Sequence, residues 1–477
     1  MRRPVPRSVD PPPPRESSWR EWGFLVALAL VAAGARFWNL GAWSVELDEA
    51  LFLSDARHNV NPRYPLGYHV SAWVWDLFNR EAPDEALLRL PSAVAGFLAV
   101  PATFWALSSV LSRRVAALSA LLLGVSSWAL FWSQMARFYT LAQLLGLVAG
   151  GFVLRGAKRA SWSEMLLGLA VLALVPLAHP SGAFLIVGLW VAGGVLLFGR
   201  REPQEHHAPA MRIVFVIGSV IGFAFGLAWA LDVLGVWMAS TSGVSSQPFH
   251  LLLSTGYLVT PWVGLAFAVG LVRLARNPAR ESRALLALIA FAGLAALVTS
   301  AMGRSAAQYV FVLLPWMLGV AALALVNGGR RRIAAALVVL LSLADSADYH
   351  LRRHGDRPRW SEAAAYVRDH AAPGDLCLGM HAPALEYYLN PGASRLRVPQ
   401  ALTYLDRYRH DLPLRWSGRN RRVWLIVNNE EYEDWSPADR EATREFLRLG
   451  CREVATFPVP FPLGIRDLDV TVLRWDP

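Results

Sequence analysis

Long apolar runs alternate with short polar segments from about residue 20 to residue 350 of this chain. A run of about 20 apolar residues crosses a bilayer as an α-helix, and shorter runs cross when flanking residues extend them. The pattern predicts a polytopic α-helical membrane protein with about eleven transmembrane helices. The predicted spans are 22–38, 92–111, 115–132, 140–154, 164–178, 183–198, 213–238, 251–272, 284–302, 309–326 and 333–348.

Three segments depart from this pattern. Residues 1–20, with five arginines and a proline run, predict a disordered basic head before the transmembrane domain, 21–350. Within that domain, 40–90 predict a long extracytoplasmic loop, in which the aromatic-rich stretch 68–78 favours a helix lying in the membrane interface.

Residues 351–477 are more polar and predict a soluble extracytoplasmic α/β domain. The predicted elements are a helix over 361–370 with Ser361 as its N-cap, strands over 376–380, 423–428 and 470–475, and a charged helix over 437–449.

Composition supports a membrane protein and excludes several other classes. Of the 477 residues, 55% are hydrophobic and only 17% are charged, and the mean hydropathy is +0.34. These values exclude a disordered chain, and two cysteines exclude a disulfide scaffold or a Cys-rich zinc protein. The net charge of +10 is compatible with a nucleic-acid-binding protein. However, no stripe of basic residues is interleaved with aromatic residues, so no nucleic-acid partner is expected.

The basic residues instead predict the orientation. They cluster in alternate loops, which places these loops and the N-terminus in the cytoplasm by the positive-inside rule. The opposite loops that follow the first long loop offer only Arg137 and Arg304. An odd number of helices then leaves the C-terminal domain outside, and we expect a multi-pass protein of the cell (inner) membrane. The clusters are Arg113–Arg114; Arg155, Lys158 and Arg159; Arg200, Arg201 and Arg212; Arg273, Arg276, Arg280 and Arg283; and Arg330–Arg332.

Two adjacent acids, Asp48 and Glu49, follow the first span by about ten residues. Ionised residues near lipid tend to face a cavity, because burying them against acyl chains is costly. A carboxylate at this place can act as a general base toward an acceptor hydroxyl or amine. The alternative is a solvated loop acid that caps the following helix.

Four short motifs occur in order over the first part of the chain: Leu47-Asp48-Glu49-Ala50, Tyr64-Pro65-Leu66-Gly67-Tyr68, Leu88-Arg89-Leu90-Pro91-Ser92-Ala93, and Ser133-Gln134-Met135-Ala136-Arg137-Phe138-Tyr139. Their order and spacing resemble the GT-C membrane glycosyltransferases, in particular the protein O-mannosyltransferase-like and lipid A aminoarabinose transferase-like branches. The resemblance covers about residues 20–200 well and the later spans weakly.

The resemblance implies a reaction on the extracytoplasmic side. A sugar would move from a polyprenyl-phosphate donor to a lipid, glycan or protein acceptor, with inversion at the anomeric carbon. It implies Asp48 as the catalytic base, with Glu49 in support. The departing phosphate needs cations, and Arg137 is the first choice because its guanidinium matches phosphate oxygens. Tyr139 would donate a further hydrogen bond to the donor.

Other candidate residues of the substrate site are less specific. Arg89 pairs with the Asp48 region, contacts phosphate, or caps a helix at the interface. Tyr64 stands where relatives have the first proline of a Pro-Pro-Leu motif. Gln308 precedes Tyr309 where relatives have Arg-Tyr, and Arg304, one helical turn earlier, is a candidate substitute.

Two further features leave alternatives open. His179 resembles a histidine of the family and contacts phosphate or acceptor, or else is an interfacial hydrogen-bonding residue. Cys377 and Cys451 both lie in the predicted outer domain and are bonded to each other or buried as free thiols.

No metal is predicted with any specificity. Met135 replaces a glutamate of many relatives, which leaves a divalent cation doubtful. Asp48 with His58 and His69 contains suitable zinc ligands, but their spacing matches no recognised pattern.

Two other functions compete with the transferase. A lipid or glycan transporter or flippase is disfavoured because the chain shows no internal repeat and its polar groups lie at the outer boundary. A non-catalytic envelope scaffold predicts that replacing Asp48 has no effect.

Overall fold

We analysed a computed structural model of the full chain. The residues that it describes are 19–58, 60–78, 83–199, 208–240, 248–302, 306–326, 329–372, 375–379, 382–389, 403–404, 422–428, 441, 448, 450–461 and 466–476. The predicted basic head lies almost wholly outside this range.

The described chain is mostly helical. Six of its helices are long and apolar enough to cross a membrane, or eight if each of two bent helix pairs is one span, and three shorter helices are also apolar. The helices are α1 (Trp19–Gly34), α2 (Leu47–His58), α3 (Pro65–Leu77), α4 (Glu85–Leu107), α5 (Arg113–Gly124), α6 (Ser127–Ser133), α7 (Tyr139–Arg159), α8 (Trp162–Ala178), α9 (Gly182–Phe198), α10 (Ala208–Ser240), α11 (Pro248–Val259), α12 (Pro261–Arg276), α13 (Arg280–Met302), α14 (Leu314–Leu325), α15 (Gly329–Leu351), α16 (Trp360–His370) and α17 (Ala382–Leu389). Short 3₁₀ turns cover Ala35–Phe37, Ala307–Leu313 and His354–Asp356.

Two predicted spans are broken helices. The 115–132 span bends by 61° between α5 and α6, where the Ser126 hydroxyl accepts a hydrogen bond from the Ala129 amide and starts a new helix. The 251–272 span bends by 108° between α11 and α12. There Thr260 precedes Pro261 and has a φ of 72°, and a residue before proline is disfavoured in a helix.

Helix α7 lies at the centre of the membrane part and packs on α4, α8 and α9. Small residues permit these close crossings: a Cβ at Gly150 would lie 2.5 Å from the Trp316 ring. At 21 residues α7 is about 30 Å long. It begins at Tyr139, beside the candidate site described below, and ends at the basic residues Lys158 and Arg159.

The C-terminal part contains a five-stranded mixed sheet of order β2-β1-β3-β5-β4. The strands are β1 (Leu376–Gly379), β2 (Thr403–Tyr404), β3 (Val423–Asn428), β4 (Arg452–Phe457) and β5 (Val470–Trp475). Strand β1 is parallel to β2 and β3, whereas β5 is antiparallel to β3 and β4. The apolar side of α16, with Trp360 and Val367, packs with Ile426 and Val472 in one buried cluster.

Some predictions for this part need correction. Strands β2 and β4 were not predicted; β2 has only two residues, and β4 has mostly exposed or half-buried side chains. Ser361 is not the N-cap of α16, which begins one residue earlier; its hydroxyl lies 2.9 Å from the Ser44 hydroxyl instead. The predicted helix over 437–449 falls almost entirely outside the described residues.

Candidate functional site

The two adjacent acids of the first loop lie in the first turn of α2 and point to different surroundings. Glu49 is completely buried, whereas the Asp48 side chain is 45% exposed. Glu49 accepts a hydrogen bond from the Glu46 amide at 3.0 Å, as an acid three residues into a helix often does. Its other partners come from distant parts of the sequence.

Arg89 of α4 is the main partner of Glu49. Its Nε donates to Glu49 Oε1 and its Nη2 to Oε2, each at 2.8 Å, so the pair is bidentate. The remaining donors bind the carbonyls of Leu40, Trp43 and Ser44 at 2.8 to 3.1 Å. Arg89 is fully buried and therefore holds the first loop against α4.

The surroundings of Glu49 favour its charged form. Burial alone would raise the pKa of the Glu49 carboxyl, but the Arg89 charge and hydrogen bonds, the Arg357 charge and the Ala136 amide outweigh burial and lower it to about 2. The Ala136 amide donates to Glu49 Oε1 at 2.7 Å. This contact fixes the loop that carries the next residue, Arg137.

Arg137 pairs with Asp48, with 2.7 Å between Nη2 and Oδ2. The Arg137 backbone is held on both sides by Ser92 of α4: the Ser92 hydroxyl donates to the Arg137 carbonyl at 2.6 Å, and the Arg137 amide lies 3.3 Å from that hydroxyl. Burial opposes the Arg137 charge, but the charge and hydrogen bond of Asp48, together with Tyr139 and Tyr68, outweigh burial and raise the pKa of this guanidinium. The pair is partly open to solvent.

Aromatic rings surround the Arg137 side of this pair. The Tyr139 ring lies against His179 with 4.2 Å between ring centroids, and the centroid of the Phe138 ring lies 5.3 Å from that of His179. The ring centroid of Tyr64 lies 6.4 Å from that of His179. The ring centroid of Tyr309, in the 3₁₀ turn Ala307–Leu313, lies 6.2 Å from that of His179. The sequence motifs at 64, 137–139 and 179 thus converge on one place, although they come from three different loops and helix ends.

His179 is uncharged. Burial, reinforced by the nearby Arg137 charge, lowers the pKa of its imidazole to about 3. Its Nδ1 accepts a hydrogen bond from the Ser181 amide at 3.2 Å and lies 2.7 Å from the Ser181 hydroxyl. The proton therefore resides on Nε2, which makes that nitrogen a hydrogen-bond donor.

A third group of polar residues was missed by sequence reasoning. Arg357, after α15, is fully buried and donates to the Gln134 carbonyl at 2.8 Å, and its Nε lies 4.0 Å from Glu49 Oε2. Gln134 Oε1 in turn accepts from Trp43 at 3.2 Å and from Tyr349 at 3.1 Å. Arg357 lies more than 200 residues after Gln134, in a polar segment. The sequence therefore gave no signal for the contact between Arg357 and Gln134.

Asp55 lies on the same side of α2 as Asp48, because it is seven residues, or two helical turns, further along. Its side chain is half-buried, and burial raises the pKa of the Asp55 carboxyl against the opposing charge of Arg137. The sequence analysis did not single it out as part of the site. The spacing was visible in the sequence, but α2 was not predicted as a helix.

The remaining candidates are less closely associated with the pair. Gln308 is half-buried in the 3₁₀ turn that carries Tyr309, and Arg304 lies outside the described residues. His58 and His69 are exposed, and among the described residues no three His, Cys, Asp or Glu side chains are grouped to hold a metal ion. Cys377 and Cys451 are both free thiols.

Comparison with known proteins connects this site to a fold. No protein-family model matches the chain, and no curated protein matches it in sequence. Solved structures are similar: ArnT, the lipid A aminoarabinose transferase, from Cupriavidus metallidurans bound to undecaprenyl phosphate, has a TM-score of 0.55 at 14% identity, covering 96% of this chain and 98% of that one.

The oligosaccharyltransferase AglB of Archaeoglobus fulgidus is similar to a comparable degree. In complex with an inhibitory peptide and a dolichol-phosphate it has a TM-score of 0.52 at 12% identity, covering 94% of this chain and 74% of that one. Tethered to an acceptor peptide it has a TM-score of 0.51 at 13% identity, covering 90% and 72%. Together with the apolar helices, these similarities show that the chain is a multi-pass membrane protein with the GT-C fold.

Proposed function

We propose that this protein is an inverting membrane glycosyltransferase that uses a polyprenyl-phosphate-linked sugar as donor. The observation that carries the proposal is the ion pair of Asp48 and Arg137, a half-exposed acid in direct contact with a fixed guanidinium. One group is suited to accept a proton and the other to hold a phosphate. Two proteins of this fold were solved with polyprenyl phosphates bound, undecaprenyl phosphate in ArnT and dolichol-phosphate in AglB.

In this reaction the acceptor hydroxyl or amine attacks the anomeric carbon of the donor. Asp48 takes the acceptor proton, a new glycosidic bond forms, and the bond between the sugar and the phosphate oxygen breaks. The polyprenyl phosphate leaves with that electron pair, and Arg137 stabilises the charge that develops on it. Because attack and departure occur on opposite faces of the sugar, the configuration inverts.

The surrounding side chains have separate tasks in this scheme. The Nε2–H of neutral His179 and the Tyr139 hydroxyl are donors on the Arg137 side and help to bind phosphate. Tyr64 lines the same side, and Gln308 is a more distant candidate for binding substrate. Glu49 and Arg89 act as positioning residues, because both are completely buried and neither has a free route to substrate.

The ion pair also connects donor binding to the base. A phosphate that binds Arg137 shares the guanidinium with Asp48, because the Asp48 contact engages Nη2 and the guanidinium has further N–H donors. Binding of the donor therefore places its phosphate beside Asp48, and the two anionic groups share the Arg137 charge.

We further propose an eleven-span topology. The two bent pairs and the three shorter apolar helices, added to the six long ones, give this number within the described chain. The N-terminus is then cytoplasmic, with the basic end of α7, and the Asp48 site faces outward in the cell (inner) membrane. The domain 351–477 lies outside and, through Arg357, supports the loop that carries Arg137.

The decisive experiment combines lipid identification with turnover. Mass spectrometry of lipid that copurifies with the protein should reveal a polyprenyl phosphate, and the purified protein supplied with that lipid in sugar-linked form should release the free lipid phosphate when an acceptor is added. A protein that binds the lipid and moves it across vesicles without cleaving the sugar would be a flippase. A protein that binds no such lipid would support the scaffold hypothesis.

A further inference from the structure

The extended segment 44–46 leads directly into α2, whose first turn carries Asp48. Ser44 and Val45 of this segment are buried. On the side of α4, Arg89 donates to the Ser44 carbonyl at 2.8 Å. The buried N–H groups of the segment need partners as well, and an extended segment cannot supply them from a helical turn of its own.

Two residues of the C-terminal part bind the same segment. The hydroxyl of Tyr388, near the end of α17, accepts a hydrogen bond from the Val45 amide at 2.6 Å. The Ser361 amide, in the first turn of α16, donates to the Ser44 hydroxyl at 3.1 Å. Because Val45 is 0% exposed, its amide has no direct access to water and would lose its partner with the Tyr388 hydroxyl.

The ring of Tyr388 connects two buried clusters. One cluster contains Val45 and Phe52, just before and within α2. The other contains Trp360 and Leu385, from α16 and α17 of the C-terminal part. The Tyr388 ring packs against both clusters. Packing on both sides fixes the ring, so its hydroxyl holds the Val45 amide at a defined place.

We propose that Tyr388 is a positioning residue for sugar transfer, a proposal that rests on the function proposed above for the Asp48–Arg137 pair. Tyr388 fixes the entry to α2 and thereby the place of the Asp48 carboxylate. The Asp48 side chain is 45% exposed, so its place depends on the backbone that carries it. A displacement of about 1 Å can slow an enzymatic step about 10²-fold.

The other member of the pair is held by different contacts. The Arg137 carbonyl accepts from the Ser92 hydroxyl, and the preceding Ala136 amide donates to Glu49. None of these bonds involves Tyr388. Loss of the Tyr388 hydroxyl should therefore slow the proton transfer to Asp48 and leave phosphate binding at Arg137 unchanged.

The test compares two neighbouring tyrosines. Tyr388→Phe keeps the ring and removes the hydroxyl, so kcat on the copurified donor lipid should fall about tenfold, while the dissociation constant of undecaprenyl phosphate should stay within about twofold of the wild-type value. The matched control is Tyr387→Phe, which removes a hydroxyl that donates to the Pro83 carbonyl at 3.0 Å. This control should keep the wild-type kcat.

The outcomes distinguish the two proposals. Equal kcat values in Tyr388→Phe and the wild type, or equal losses in both tyrosine variants, would overturn the positioning role alone. A wild-type protein that releases no lipid phosphate would overturn the proposed function, and the positioning role with it.

Two further measurements separate positioning from a general loss of stability. In the Asp48→Asn background, Tyr388→Phe should not lower the residual turnover further, because it acts through Asp48. A further tenfold loss there would contradict the proposal. Hydrogen exchange of the Val45 amide should be faster in Tyr388→Phe and unchanged in Tyr387→Phe. Unchanged exchange in both would show that the hydroxyl does not hold this segment.

Discussion

Two ion pairs whose acids are adjacent in sequence differ in burial, geometry and surroundings. The Glu49–Arg89 pair is completely buried, bidentate and surrounded by backbone carbonyls, whereas the Asp48–Arg137 pair is half-exposed and has a single short contact. A buried pair cannot exchange partners without a large cost, but an exposed pair can. The difference shows how two adjacent acids in one helical turn can differ, one being structural and the other available for chemistry.

The two pairs are nevertheless connected. Glu49 binds the Ala136 amide, and Ser92, three residues after Arg89, binds Arg137. The buried pair thus sets the position of the exposed pair. Loss of the Glu49–Arg89 pair should therefore displace Arg137, which is one peptide bond away from Ala136.

The largest expected effect is on turnover. Asp48→Asn should reduce sugar transfer about 10²- to 10⁴-fold, because an amide cannot accept the acceptor proton. Folding should be unchanged, since Asp48 is half-exposed. Transfer from the copurified donor lipid, measured in purified protein, checks this, and Asp76→Asn, an exposed acid of α3, is the matched control. Near-normal turnover would remove Asp48 from the role of base.

The second effect is on stability and separates the two acids. Glu49→Gln leaves the Arg89 charge buried without its counter-charge, so the free energy of unfolding should fall by about 3 kcal/mol or more. Asp48→Asn should change it by about 1 kcal/mol at most. Denaturation in one detergent measures both, and equal losses would mean that the two pairs are not different in kind.

The same pair predicts a pH dependence. The pKa of Glu49 is lowered to about 2 in the folded protein, below its unfolded value of 4.5. Its stabilising contribution is therefore complete above about pH 4.5 and is lost as the pH falls from there toward 2. The Glu49→Gln variant should lack this component, and a wild-type slope retained in that variant would refute the assignment.

Replacing Arg137 by lysine tests the geometry of the exposed pair. A lysine keeps the charge but loses the planar fork, so the dissociation constant of undecaprenyl phosphate should rise about tenfold. Arg63→Lys is the control, because Arg63 also pairs with an exposed aspartate, Asp232. Unchanged affinity in Arg137→Lys would show that the phosphate does not engage this guanidinium.

A smaller effect is expected from Gly67 in α3. A Cβ there would lie 2.5 Å from the Cβ of Phe138, the residue after Arg137, so Gly67→Ala should displace that ring. Overpacking of this kind costs about 1 to 3 kcal/mol and should also weaken undecaprenyl phosphate binding. Gly222→Ala, with no neighbouring atom within 4 Å, should leave both quantities unchanged. Equal effects at the two glycines would argue against close packing at Phe138.

Much of the membrane part was predictable because apolar runs are long and local. The predicted spans at 164–178 and 183–198 differ from α8 and α9 by one or two residues at their starts. The two bends were missed because they depend on a serine cap and on the conformation before Pro261. In the C-terminal part, β3 and β5 were predicted with their observed bounds, and the short strand β2 gave no signal.

The candidate site was predictable only where each residue lies within a short sequence motif. Asp48, Arg137, Tyr139 and His179 were named from motifs, and the structure brings them together. The motifs did not separate the roles of Asp48 and Glu49, because burial depends on Arg89 and Arg357, which are 40 and more than 300 residues away. Arg357 was missed because a single arginine in a polar segment resembles any solvated charge.

The most direct test of the central claim is the affinity of Asp48→Asn for undecaprenyl phosphate. If Arg137 is shared between Asp48 and the phosphate, removing the carboxylate frees the guanidinium, so this variant should bind the lipid several-fold more tightly than the wild type while its turnover is lost. Weaker or unchanged binding would contradict the account, because it would show that Asp48 and the phosphate do not share Arg137.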